Sequence, residues 1–77
     1  MEDLLSASPL REILECHPAP RVTIAHQVSA AAGGTPSANH RLILRILRGQ
    51  PQLNVHIADR LAIGLGRDAA EVWGDRW

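Results

Sequence analysis

Hydrophobic positions recur every three or four residues along most of this chain, which is the spacing of an amphipathic helix. Five such segments can be distinguished, and each is bounded by residue types that begin or end helices. No stretch shows the alternation of apolar and polar residues expected of a half-buried strand. The sequence therefore predicts an all-α fold, a compact bundle of about five short helices.

The first predicted helix runs from Pro9 to Cys16. Ser8 is expected to be its N-cap, and proline suits the first helical position because its missing N–H has no partner there. The segment His17-Pro18-Ala19-Pro20 ends the helix, since neither proline can continue it. Residues 1–7 are predicted to be flexible.

The second predicted helix covers residues 24–32, with Thr23 as its N-cap. The pair Gly33-Gly34 is a strong helix end. Small residues surround Val28 on this helix, so another helix can approach it closely.

The third predicted helix runs to Arg48 and ends at Gly49. Its start is ambiguous, because three residues can each serve as its N-cap: Thr35, Ser37 and Asn39.

The fourth and fifth predicted helices follow residues with strong capping side chains. Asn54 precedes residues 55–65, and Asp68 precedes residues 69–73. Gly64 weakens the fourth helix locally, which is consistent with a close helix contact.

Length and composition limit the chain to one domain. Its 77 residues leave no room for a second core or a deep catalytic cleft, so we expect neither catalysis nor a small-molecule substrate. Phe and Tyr are absent, so the core must consist of aliphatic residues, with Trp73 as a lid over them. Trp77 is predicted to fray, fold back or join an interface with a partner.

Cysteine content and hydropathy point to a cytoplasmic protein. The single cysteine, Cys16, excludes an internal disulfide and fits a reducing compartment. No apolar run approaches the ~20 residues of a membrane span, and the acidic start of residues 1–3 argues against a secretory signal. The histidines and Cys16 do not have the spacing of a metal site, so no metal or cofactor is expected.

Charge is distributed unevenly although the net charge is zero. Residues 1–19 carry four carboxylates and one arginine, a net −3, and residues 51–77 carry a net −1. Residues 20–50 carry a net +4 and no carboxylate. The four arginines of this middle segment are Arg21, Arg41, Arg45 and Arg48.

Three of these arginines share one face of the third helix. At 100° per residue, Arg41, Arg45 and Arg48 fall within about 60° of one another, nearly opposite an aliphatic face. They repel one another unless the face meets a polyanion, and arginine binds both phosphates and guanine edges. The alternative is a solvated face whose arginines pair with carboxylates of the first or last helix.

The segment around the end of the third helix resembles a known family. Residues 43–49, Ile-Leu-Arg-Ile-Leu-Arg-Gly, are similar to the end of the recognition helix in the phage-repressor and Cro-like helix-turn-helix family. A thirteen-residue step from Gly49 reaches residues 62–66, which resemble the Ala-x-x-Leu-Gly motif of that family. Residues 53–73 resemble small helix-turn-helix proteins of actinobacteria and their phages. The resemblance covers residues 22–77.

The resemblance implies a transcriptional regulator or Cro-like repressor that binds double-stranded DNA as a homodimer. The second and third helices would form the pair that reads DNA, with Arg41 and Arg45 contacting base edges. Phosphate contacts are expected from Arg48, Arg21, Thr23, Thr35 and Ser37. Asn39 is a candidate for either role, and His40 is as compatible with packing as with DNA contact.

The family pattern places the turn glycine at position 37, where this chain has serine, whereas Gly33 and Gly34 come earlier. Either the turn between the two helices is longer than in the family, or the third helix starts earlier. Two other functions are compatible with the basic face. One is a helical module that grips a protein with an acidic patch, and the other is a nucleoid-type protein that binds DNA without sequence preference.

Overall fold

The computed structural model describes the backbone of residues 4–76 and the side chains of residues 4–75. Within that range, five α-helices and a two-stranded sheet form one compact body. In chain order the elements are β1 (Leu4–Ser6), α1 (Ser8–Cys16), α2 (Arg21–Ala32), α3 (Pro36–Leu47), β2 (Gln52–Asn54), α4 (Val55–Gly64) and α5 (Ala69–Trp73), followed by a 3₁₀ turn (Gly74–Arg76). The predicted bundle of five helices is confirmed, with the sheet as an addition.

The sheet corrects two predictions: that the segment 1–7 is flexible, as far as its described residues 4–7 are concerned, and that no strand is present. β1 and β2 pair antiparallel, with Leu5 opposite Leu53, and both leucines are only 5% exposed. Ala7 is fully buried, and its N–H donates to the carbonyl of Pro51 at 3.0 Å. Strands of three residues are too short to show an alternating pattern in the sequence. Residues 1–3 lie outside the described residues.

Trp73 joins the end of the helical region to the first strand. Its indole is 6% exposed, and its Nε1–H donates to the carbonyl oxygen of Ser6 at 2.8 Å. The predicted role of Trp73 as a lid over the aliphatic core is confirmed, and Trp77 lies outside the described residues.

Two helix starts differ from their predictions. α1 begins at Ser8, with buried Ala7 rather than Ser8 at the N-cap position. α2 begins at Arg21, three residues before its predicted start, so Thr23 is not its N-cap. The reason is Pro20, whose extended backbone is followed directly by helix and whose carbonyl accepts the N–H of Ile24 at 3.0 Å. Thr23 consequently lies in the first turn of α2.

The start of α3 is settled by Thr35, whose Oγ1 accepts the N–H of Ala38 at 3.1 Å. Gly33 and Gly34 adopt φ values of 93° and 83°, which favour glycine. The turn between α2 and α3 therefore consists of residues 33–35, within the usual length for a helix-turn-helix. Of the two alternatives, the earlier start of α3 is correct.

The core forms where α2 packs against α3 and α4. A Cβ added to Gly64 would lie 2.7 Å from Cγ2 and 2.8 Å from Cα of Val28, so α2 and α4 approach more closely than a side chain would permit. The predicted close contact at Gly64 is confirmed. The largest fully buried hydrophobic side chains are Leu10, Ile24, Val28, Ile43, Ile46 and Leu61.

The remaining predicted N-caps are also confirmed. Asn54 Oδ1 accepts the N–H of His56 at 2.8 Å, and Asp68 Oδ1 accepts the N–H of Ala70 at 3.2 Å. These caps fix the starts of α4, which packs against α2, and of α5, which packs against α4.

Candidate nucleic-acid interface

α3 presents two chemically different sides. Arg41, Arg45 and Arg48, called here the arginine face, are all exposed. Ile43 and Ile46 on the other side are at most 1% exposed and anchor α3 in the core. The helix is thus held by its aliphatic side and displays its guanidinium groups outward.

The arginines of this face form no ion pair with any carboxylate in the part of the chain that the structure describes. No carboxylate of residues 4–75 lies within 4.0 Å of a guanidinium nitrogen of Arg41, Arg45 or Arg48. The ion pair found in that range joins Arg67 to Glu71 at 3.6 Å, on the other end of the chain. Residues 4–75 therefore do not support the alternative, in which carboxylates of the first or last helix pair with these arginines.

Part of the arginine face borders an open surface depression of about 310 Å³. Among the described residues, those that line it belong to α3: Ala38, Arg41, Leu42 and Arg45. The Ala38 side chain, one turn before Arg41, adds little bulk, so a ligand can reach the helix surface there. Cationic and apolar groups side by side suit an anionic ligand that also has flat apolar parts.

The starts of α2 and α3 add exposed polar groups. Arg21 and Thr23 lie in the first turn of α2, and both are exposed. Thr35 and Ser37 are exposed at the start of α3. Free N–H groups and the positive end of the helix dipole favour anions at such positions.

Asn39 does not belong to this surface, which corrects its prediction as a DNA-contacting residue. Its side chain is fully buried, and its Nδ2 donates to Ser29 Oγ at 2.8 Å and to the Gly33 carbonyl at 3.2 Å. A polar residue next to an exposed helix start can equally well turn inward, and the sequence does not distinguish the two. Asn39 fixes the turn instead of facing outward.

His40 is partly buried, at the edge of the arginine face. This intermediate exposure fits its prediction as a residue between the packed and the exposed sides of α3. It leaves both of its predicted roles open.

Arg11 is a supporting residue that the sequence did not identify. Its Nε donates to the carbonyl of Ile46 at 2.9 Å, and its Nη2 donates to the carbonyl of Gln50 at 3.0 Å. A cation here also stabilises the negative end of the α3 dipole. The acidic first helix therefore packs onto the C-terminal end of α3, while Glu12 and Glu15 stay exposed.

Neither a membrane helix nor a metal cluster occurs among the described residues. In that range, no helix has the length and hydrophobicity to span a bilayer. No group of three His, Cys, Asp or Glu side chains among them is arranged to hold a metal ion.

Comparisons of the chain with protein families, with curated proteins and with solved structures found no match.

Proposed function

We propose that this protein binds double-stranded DNA sequence-specifically, as a transcriptional regulator or Cro-like repressor, through the arginine face of α3. One observation carries the proposal: three arginines are exposed on one helix side, and no carboxylate of residues 4–75 pairs with them. A face of like charges is unfavourable by itself and becomes favourable when its arginines neutralise DNA phosphates and release the counterions condensed on them. The three-residue turn before α3 and the resemblance to phage repressors support the same function.

Within this proposal, α3 lies in the major groove and Arg41 and Arg45 contact base edges. Arg48 and the exposed starts of α2 and α3 contact phosphates, which fix the position of the protein on the duplex. The residues in this second group are Arg48, Arg21, Thr23, Thr35 and Ser37. The protein acts as a cytoplasmic homodimer and catalyses no reaction.

The test measures affinity for a duplex of random sequence over a series of salt concentrations. The parent should show a steep loss of affinity with salt, with a slope of about −0.9 for each phosphate neutralised. Arg48→Ala and Arg21→Ala, at the proposed phosphate contacts, should each reduce the magnitude of that slope by about one. Arg67→Ala is the matched control, because it removes one charge from an exposed arginine outside the arginine face.

Absence of DNA binding at low salt, with the helical circular dichroism intact, would contradict DNA binding of either kind. The basic face would then be better explained by an acidic protein partner. Selection from a pool of random duplexes separates the remaining possibilities. A regulator yields a consensus sequence, whereas a nucleoid-type binder yields none.

A further inference from the structure

Arg60 of α4 reaches the turn between α2 and α3. A Cβ added to Gly34 would lie 3.5 Å from Arg60 Nη1 and 3.3 Å from both amide atoms of Asn39. The guanidinium and the buried amide therefore border the same side of Gly34. Arg60 thus extends from α4 to the turn residues that precede α3.

The side chains of Asn39 and Arg60, which both border Gly34, have complementary polar atoms. Asn39 Oδ1 is an acceptor and Arg60 Nε–H is a donor, and both are buried without a hydrogen-bond partner among the described residues. In a medium of low dielectric constant, a cation beside an amide oxygen is attracted more strongly than in water. No carboxylate of residues 4–75 lies within 4.0 Å of the Arg60 guanidinium.

Asn39 links the end of α2 and the turn to the start of α3. Its Nδ2 binds Ser29 on α2 and the carbonyl of Gly33 in the turn, while its backbone belongs to the first part of α3. Arg60 borders Gly34 beside Asn39, so it lies where it could affect the angle at which α3 leaves the turn. The arginine face begins two residues after Asn39, at Arg41.

We propose that Arg60 is a positioning residue, which fixes the orientation of α3 through Gly34 and Asn39 and thereby sets sequence discrimination. This inference rests on the proposed function, since discrimination requires DNA binding. Base contacts need well-placed side chains, whereas phosphate contacts tolerate small rotations because they are largely electrostatic. Loss of Arg60 should therefore lower specificity more than it lowers general affinity.

The experiment compares Arg60→Ala with Arg60→Lys and with the control Arg67→Ala, which removes the same charge from the surface. Residual dipolar couplings from NMR report the orientation of α3 relative to α4 in each variant, without DNA. Affinities are then measured for the duplex selected from the random pool and for a scrambled duplex. The couplings and the affinities are all measured well below the melting temperature of every variant.

We expect Arg60→Ala to reorient α3 and to reduce the ratio of the two affinities by at least about fivefold, the low end for one base contact. Arg60→Lys should restore most of the ratio because it keeps a cation near Asn39. Arg67→Ala should change neither the couplings nor the ratio. An effect on melting temperature alone would not alter the ratio, which separates positioning from simple stabilisation.

Two results would overturn the inference. One is unchanged couplings in Arg60→Ala, and this holds whether or not the protein binds DNA. The other is a ratio equal to that of Arg67→Ala. Failure of the parent to bind the duplexes contradicts the proposed function itself and removes the link to specificity. That failure is distinct, because it appears in the unmutated protein.

Discussion

At the scale of single residues, the contact between α2 and α4 is set by Gly64. Alanine is usually favoured over glycine within a helix by about 1 kcal/mol. Here the added Cβ would lie 2.8 Å from the Cα of Val28, a backbone atom that cannot move without shifting the helix. The steric clash should cost more free energy than the helix preference of alanine contributes, since overpacking costs about 1–3 kcal/mol.

We therefore predict that Gly64→Ala lowers the free energy of unfolding, measured by urea denaturation. Ala31→Gly, at an exposed position of α2, gives the bare helix preference for comparison. A Gly64→Ala protein as stable as the parent would show that the two helices can separate without penalty.

A second prediction concerns the buried amide at the turn. Asn39→Ala removes the donor that binds Ser29 and Gly33, and should cost about 1–3 kcal/mol of stability. Ser37→Ala, two residues earlier and exposed, should change stability by less than about 0.5 kcal/mol. Thermal unfolding followed by circular dichroism compares the two, and equal effects would mean that the amide does not fix the turn.

At the scale of elements, the small sheet attaches the N-terminal segment to the core. Leu5 is 5% exposed, whereas its neighbour Leu4 is 48% exposed, so the two leucines form a matched pair. Leu5→Ala should destabilise the protein by about 2–4 kcal/mol, and Leu4→Ala should have little effect. Chemical denaturation of both variants checks this, and similar effects would indicate that β1 contributes no specific packing.

The helices could be predicted from the sequence because their periodicity and caps are local. Asn54 and Asp68 cap the helices that follow them, as expected, and Gly64 marks a close contact. The sheet could not be predicted, because its strands lie far apart in the chain and have three residues each. The start of α2 was misplaced because Thr23 resembles an N-cap, although Pro20 initiates the helix.

For the candidate interface, the exposed arginine face agrees with the helical periodicity of the sequence. Asn39 was misassigned because its neighbours on the turn, not its sequence position, direct its side chain inward. Arg11 and Arg60 were missed for a related reason. Their partners lie on other helices, and no local pattern indicates such contacts.

At the scale of the whole molecule, size makes a prediction about the proposed dimer on DNA. Recognition helices in two successive major grooves lie about 34–36 Å apart, or 10–10.5 base pairs. The domain measures 31 × 22 × 21 Å, so its longest dimension is shorter than that separation and two copies fit along the duplex without overlapping. The duplexes obtained by selection should contain two half-sites with that separation. A single unrepeated site would indicate binding as a monomer.

The bond between Trp73 and Ser6 spans 67 positions of the chain, and it has a consequence for the order in which the protein is made. On the ribosome, β1 is synthesised first, but its partner indole appears only after α4 is complete. The hydrogen bond to Ser6 can therefore form only after residue 73 has been synthesised. In a Trp77→Phe protein, Trp73 is the sole source of indole fluorescence, and the change in its emission during refolding reports when this indole becomes buried.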